Sequence, residues 1–255
     1  MAARKYGIST ITLIHGVPED YSFFPFLADS IFCWGEGQKN YLISKGVLSK
    51  RIFVTGNPMF GSKAATNDFG SHQKSEFNIC LAISPGFDNP LLINPFVSAL
   101  KHFENVNGVL KLHPSLVKDD YNWVLNISPK MKILTSKEIK NSELFESTDL
   151  LIINDSGIAN EALAVGVPVA VFVPINVLKL NDFQGELIGS ASCRLITNEL
   201  ALTHVIDEII ADPNRFKWEA NEKSFGYLKN LYETTGKASI NSMILQINSI
   251  IGGFN

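Results

Sequence analysis

Residues 154–162 read NDSGIANEA, directly after the apolar run DLLII. Small polar residues and a glycine between greasy segments mark a strand-to-helix turn. Asp155 or Ser156 can cap the helix, and Gly157 lets a ligand come close to the backbone. The free N–H groups and dipole of a helix start favour a phosphate. Glu161 comes four residues after Gly157, on the same face and one turn of about 5.4 Å further on. A carboxylate accepts two hydroxyl hydrogen bonds at once, so a ribose diol is its natural partner. Each residue also has an ordinary use: Asp and Ser cap helices, and an early-turn glutamate is favourable with no ligand present.

Other candidates also follow β-like runs. His113 precedes Pro114, which holds it extended and sets where it points; it can bind a phosphate or stabilise a leaving group. Ser84, Pro85 and Gly86 form a short glycine turn, weaker than a full phosphate loop. His15, before Gly16, has the chemistry of a general base. Asp182 and Gln184 can reach sugar hydroxyls, with a solvated loop as the alternative. His72 and His102 receive no role. In an open parallel α/β sheet, ligands bind beyond the carboxyl ends of the strands, and all of these clusters fall there.

The elements that must hold them alternate regularly. STITLIH, SIFCWG and RIFVTG read as strands, and EGQKNYLISKG as a helix ended by glycine. Periodicity vanishes in NPMFGSKAATNDFGSHQKSEF, which reads as a linker. Strands then return at NICLAIS, GVLKLH, KILT, DLLIIN, PVAVFV and CRLIT, with helical patterns between them. This succession predicts a parallel sheet covered on both faces. The expected organisation is residues 1–57 as a partial N-terminal Rossmann-like segment, 58–77 as linker, and 78–255 as a C-terminal domain closed by a final helix. That helix carries Ile240, Met243, Ile244, Ile247, Ile250 and Ile251 on one side, a face that calls for a docking partner. Three strands with little helical cover make a poor domain. The rest of the first domain is therefore expected to be absent or supplied by a partner chain; alternatively, these strands join the second sheet.

A net charge of −3, with no dense run of Lys and Arg, excludes a broad nucleic-acid surface. Cys33, Cys80 and Cys193 are odd in number, far apart and set in apolar stretches, as buried reduced thiols of a cytoplasmic protein are. Their spacing suits no metal. Gly166, Pro168 and Pro174 interrupt the most apolar stretch, so it does not read as a membrane span.

Taken in order, GISTITLIHG, ADSIFCWGEGQKNYLISKGV, RIFVTGNPMF, KLHP and DLLIINDSGIANEALAVGVPVAVF resemble the GT-B superfamily. The similarity is to bacterial surface-polysaccharide transferases, including the CDP-glycerol glycerophosphotransferase and capsule-type sialyl or Kdo transferase groups. The chain is also similar to non-hydrolysing UDP-N-acetylglucosamine 2-epimerases. The resemblance implies an α/β fold with two Rossmann-type domains, the first partial. It also implies a nucleotide-sugar donor linked to CMP, CDP or UDP, no metal or other cofactor, and a glycan or lipid-linked acceptor. By resemblance, His113 and Pro114 contact the nucleotide, Ser156 and Gly157 form the phosphate turn, and Glu161 holds the ribose. His15 enters the cleft from the first domain as base or orienting group. Displacement at the anomeric carbon would be assisted by His113 and the amides near Ser84 and Ser156. The acidic-acidic-glycine motif of several sialyltransferases has no match. The family also implies a cytoplasmic location, peripheral at the inner membrane face for lipid-linked acceptors. A 2-epimerase is the alternative activity, and a non-catalytic nucleotide-binding subunit the non-enzymatic one.

Overall fold

The computed structural model describes residues 2–16, 24–58, 75–85, 89–177 and 180–252. They form two compact units, one of residues 1–63 and 228–255 and the other of residues 64–227. The final helix therefore belongs with the N-terminal strands, which corrects the expectation that it closes the second domain.

The first unit has its own three-stranded parallel sheet, ordered β1 (Ile11–Leu13), β2 (Ser30–Cys33), β3 (Ile52–Val54). The strands do not join the larger sheet. After a one-turn helix α1 (Ala2–Lys5), helix α2 (Glu36–Ser44) follows β2, and Leu42 packs with Ile14, Ile31, Cys33 and Ile52 in a small core. The chain returns through residues 231–236, which explains the division of units. Glu233 N–H donates to Trp34 O at 2.9 Å, Asn57 N–H to Thr234 O at 2.8 Å, and Gly236 N–H to Asn57 O at 3.0 Å. This close backbone crossing needs glycines. A side chain at Gly35 would strike the Leu231 carbonyl, and one at Gly56 the Thr234 carbonyl; Gly56 also sits at φ 82°.

The second unit is a six-stranded parallel sheet. Its strands are β4 (Phe77–Ile83), β5 (Val106–Leu112), β6 (Met131–Leu134), β7 (Leu150–Ile153), β8 (Val169–Phe172) and β9 (Cys193–Ile196), in the order β6-β5-β4-β7-β8-β9. β7 and β8 are buried along their whole length, the continuous apolar pattern of a sheet covered on both faces. Its helices include α3 (Pro90–Leu100), α4 (Trp123–Ile127), α5 (Asn141–Ser147), α6 (Ile158–Ala164), α7 (Asp182–Gly189) and α8 (Glu199–Ala211). α3 packs on α8, burying Phe96 and Ile206 in the main core. Strand order reverses at β4, between its neighbours β5 and β7, and such a switch point opens a ligand crevice at the carboxyl ends.

Helix α9 (Pro213–Leu231) runs from the second unit into the first, and α10 (Gly236–Gly252) ends the described chain. Only Gly236 and Ser239 of α10 are buried; Ile240, Ile244 and Ile251 are 45%, 50% and 64% exposed. The docking expected of that stripe is not made within the described residues. Among those residues, no helix is long and apolar enough to cross a membrane.

Candidate functional site

The carboxyl ends of β4 and β7 flank the switch point, and the loops that follow them are bonded together. Ser84 Oγ donates to Asp155 O at 2.7 Å. The loop after β7 is held from two further sides. Asn181 Nδ2 donates to the Asp155 carboxylate at 2.8 Å, and Gln184 Nε2 to Asn154 O at 2.6 Å. Asn154, itself buried, donates its side-chain amide to Phe172 O at 2.9 Å, tying β7 to β8. The turn is therefore fixed by the protein, a condition for binding without reorganisation.

Neither Asp155 nor Ser156 caps α6, which corrects that expectation. Gly157 occupies the N-cap position, no side chain bonds there, and the Asp155 carboxylate is used by Asn181. The first turn closes through backbone instead, with Ala159 N–H to Ser156 O at 3.2 Å and Asn160 N–H to Gly157 O at 3.1 Å. Among the described residues, the N–H groups of Gly157 and Ile158 have no acceptor, and the space a Cβ on Gly157 would fill is open. The turn can thus receive an anion's oxygens at the backbone.

Glu161 is half-buried and accepts from Asn141 Nδ2 at 2.9 Å. Burial pushes its carboxyl pKa up, and only the Asn141 hydrogen bond opposes that shift. A carboxylate kept partly dry with a single amide partner retains acceptor capacity for ligand hydroxyls.

His113 is exposed one residue past β5, and its N–H continues the ladder to Ile83 O at 3.2 Å. Its Nδ1 accepts the Ser115 N–H at 3.2 Å and lies 2.8 Å from Ser115 Oγ. A backbone N–H can only donate, so in the neutral ring the proton sits on Nε2, which is left to donate outward. Pro114 is likewise exposed.

Of the two sugar-binding expectations, the one for Gln184 changes. Gln184 is 3% exposed, and both ends of its amide are engaged: Oε1 accepts Asn181 N–H at 3.0 Å while Nε2 serves Asn154. It completes a capping box with Asn181 at the start of α7, so it builds the loop and does not reach a sugar. The expectation for the Asp182 side chain lies outside the described residues, as do those for Gly86 and His72. In the first unit, the loop of His15 is anchored by Trp34 Nε1 to Ile14 O at 2.9 Å and Gln38 Nε2 to Gly16 O at 3.2 Å. His15 itself is exposed.

Residue-by-residue reading missed Asn141, Asn181 and Ser115. Asn141 and Asn181 hold Glu161 and Asp155 from distant segments, and pairings across 20 to 26 positions leave no local spacing signal. Ser115, two residues from His113, was detectable as a side-chain turn. The three cysteines are buried and unpaired, with thiols pushed up to about 12 by burial. Among the described residues, no three His, Cys, Asp or Glu side chains gather into a metal site.

No family model matches the sequence, and no curated protein matches it. Solved structures do match its fold. The Staphylococcus aureus MnaA–UDP co-structure is similar at a TM-score of 0.68 with 17% identity, covering 98% of this chain and 72% of that one. The Neisseria meningitidis UDP-N-acetylglucosamine 2-epimerase bound to UDP-N-acetylglucosamine gives 0.66 and 18%, covering 96% and 72%. Anabaena HepE in complex with UDP-glucose gives 0.61 and 14%, covering 97% and 74%. With the switch-point sheet and the turn after β7, these likenesses show that the chain has the GT-B fold shared by UDP-N-acetylglucosamine 2-epimerases and glycosyltransferases.

Proposed function

We propose that this chain is a nucleotide-sugar enzyme of the GT-B type, a metal-independent glycosyltransferase using a UDP-linked donor. The observation that carries the reading is the Ser84–Asp155 bond, which joins the loops on either side of the switch point beside a turn with unfilled N–H groups. UDP, UDP-N-acetylglucosamine and UDP-glucose in the similar structures support uridine as the base. Glu161 accepts the ribose hydroxyls, and the amides of Gly157 and Ile158 meet the phosphates. His113 Nε2 donates to the departing diphosphate. The anomeric C–O bond to phosphate breaks as an acceptor oxygen bonds to that carbon, and the acceptor proton leaves to a base. His15 keeps the base or orienting role that the sequence resemblance gives it. That resemblance also supports a bacterial surface glycan, free or lipid-linked, as acceptor.

The 2-epimerase reading is the second, favoured by the epimerases among the similar structures. Incubating UDP-N-acetylglucosamine with the protein alone separates the two, since only an epimerase yields a new sugar epimer without an acceptor. The shared premise is tested by thermal shift with UDP, CDP and CMP. A ligand at a hundredfold excess over Kd stabilises the fold by about 2.7 kcal/mol. No shift with any of the three from folded protein refutes the nucleotide reading. Binding with no turnover, whatever the acceptor, makes the chain a binding subunit.

A further inference from the structure

Lys111 is a charged residue of the second unit whose stem is buried and whose ammonium has no partner among the described residues. It is 4% exposed, on β5, with Ala82 and Leu134 beside it on the neighbouring strands. It makes no hydrogen bond or ion pair with any described residue. The carboxylate that acts on it electrostatically is that of Glu138, which is already taken by Lys118 Nζ and by the Thr135 N–H and Oγ1 at 2.8 and 2.9 Å. Burial pushes the ammonium's pKa down. Several buried polar side chains of this unit are bonded, while Asn89 Oδ1 and Asn160 Nδ2 are left without a partner among the described residues. Asp149 accepts the Asn78 N–H at 2.9 Å and lies 3.8 Å from Lys217, and Asn154 and Gln184 are bonded as described above. An unpaired ammonium at the end of a buried stem is best placed where something outside the chain supplies the anion.

The location says what that anion is. Lys111 comes two residues before His113, and residues two apart on a strand share a face. Two strand residues rise about 6.6 Å, a distance within the reach of a four-carbon lysine stem. We propose that Lys111 is a phosphate-binding residue of this site, its ammonium pairing with the diphosphate of the nucleotide donor alongside the His113 ring. The inference rests on the nucleotide-sugar reading and adds a fixed cation to a pocket otherwise built from neutral donors. It makes the site selective for a nucleoside diphosphate over the nucleoside.

The test is calorimetry of the full chain with UDP and with uridine, on wild type and Lys111→Met, together with melting curves of the free proteins. Methionine keeps the unbranched stem and removes the charge. The expected result is UDP binding weakened about tenfold or more, uridine binding unchanged, and an apo melting temperature equal to or above wild type. Equal UDP binding overturns the inference. So does an equal loss for UDP and uridine with a lowered melting point, which would make the lysine structural. Lys111→Gln repeats the comparison with a polar tip, should the methionine variant fail to fold. Wild type binding neither ligand refutes the nucleotide reading, and this inference with it; binding by wild type with Lys111→Met unaffected refutes this inference alone.

Discussion

Glu161→Gln separates what the site does from what the fold needs. The carboxylate is half-buried, gives one oxygen to Asn141 Nδ2 at 2.9 Å, and has its pKa raised above the usual 4.5 by desolvation. Glutamine has the same size and still accepts from Asn141, but it carries no charge and one carbonyl oxygen fewer. A hydrogen bond to a charged group contributes about 1.5–3 kcal/mol, so uridine and UDP binding should both weaken by about 10- to 150-fold. Stability should move the other way. The folded-state pKa lies above that of the unfolded chain, so Glu161's contribution is fully present below pH 4.5 and is lost as pH rises through the raised value. At pH 7 the wild type therefore holds a desolvated carboxylate at a cost, and the glutamine variant should be the more stable without ligand. Below the usual carboxylate range the difference should vanish. Urea unfolding at pH 7 and below pH 4.5 reads the stabilities, and calorimetry with UDP and uridine reads the binding. A variant that is less stable at pH 7, or that binds both ligands within about twofold of wild type, would refute the assignment of Glu161 as a ribose-binding group held at the fold's expense.

Gly56→Ala should destabilise the first unit. A left-handed backbone costs a residue with a Cβ about 1–2 kcal/mol, and here the new methyl also meets the Thr234 carbonyl. Chemical unfolding followed by Trp34 fluorescence, whose ring packs on Tyr232 with centroids 5.6 Å apart, reads the loss; an unchanged midpoint would mean the crossing of residues 231–236 adjusts freely. With all three thiols pushed to about 12 by burial, a thiol reagent at pH 8 should label Cys33, Cys80 and Cys193 slowly in the native chain and fully on unfolding. Rapid native labelling would show that their burial is transient.

The alternation of short apolar runs and helical patterns was enough to place the nine strands of the described residues, because each is a local event: β-branched residues in series, ended by glycine, proline or a small polar residue. The same local chemistry marked Gly157, Glu161 and His113, and each stands at a strand's carboxyl end or on the helix that follows it. What the sequence could not decide was every pairing between distant positions. The switch point at β4 depends on strand order, which no run of residues encodes by itself. The misreading of Gln184 has the same origin. A glutamine at the start of a helix looks solvated until the Asn154 carbonyl, 30 residues earlier, arrives to bury it. Likewise, Asp155 looks like a cap until Asn181 takes its carboxylate. The assignment of the last helix turned on backbone contacts at Trp34 and Asn57, about 180 to 200 residues from their partners. Composition and periodicity determined the elements and the types of chemistry at their ends. Only the folded chain decided which polar groups bond one another and which, such as the Lys111 ammonium and the Gly157 amide, stay unbonded among the described residues, because burial and hydrogen-bond satisfaction are properties of neighbours in space.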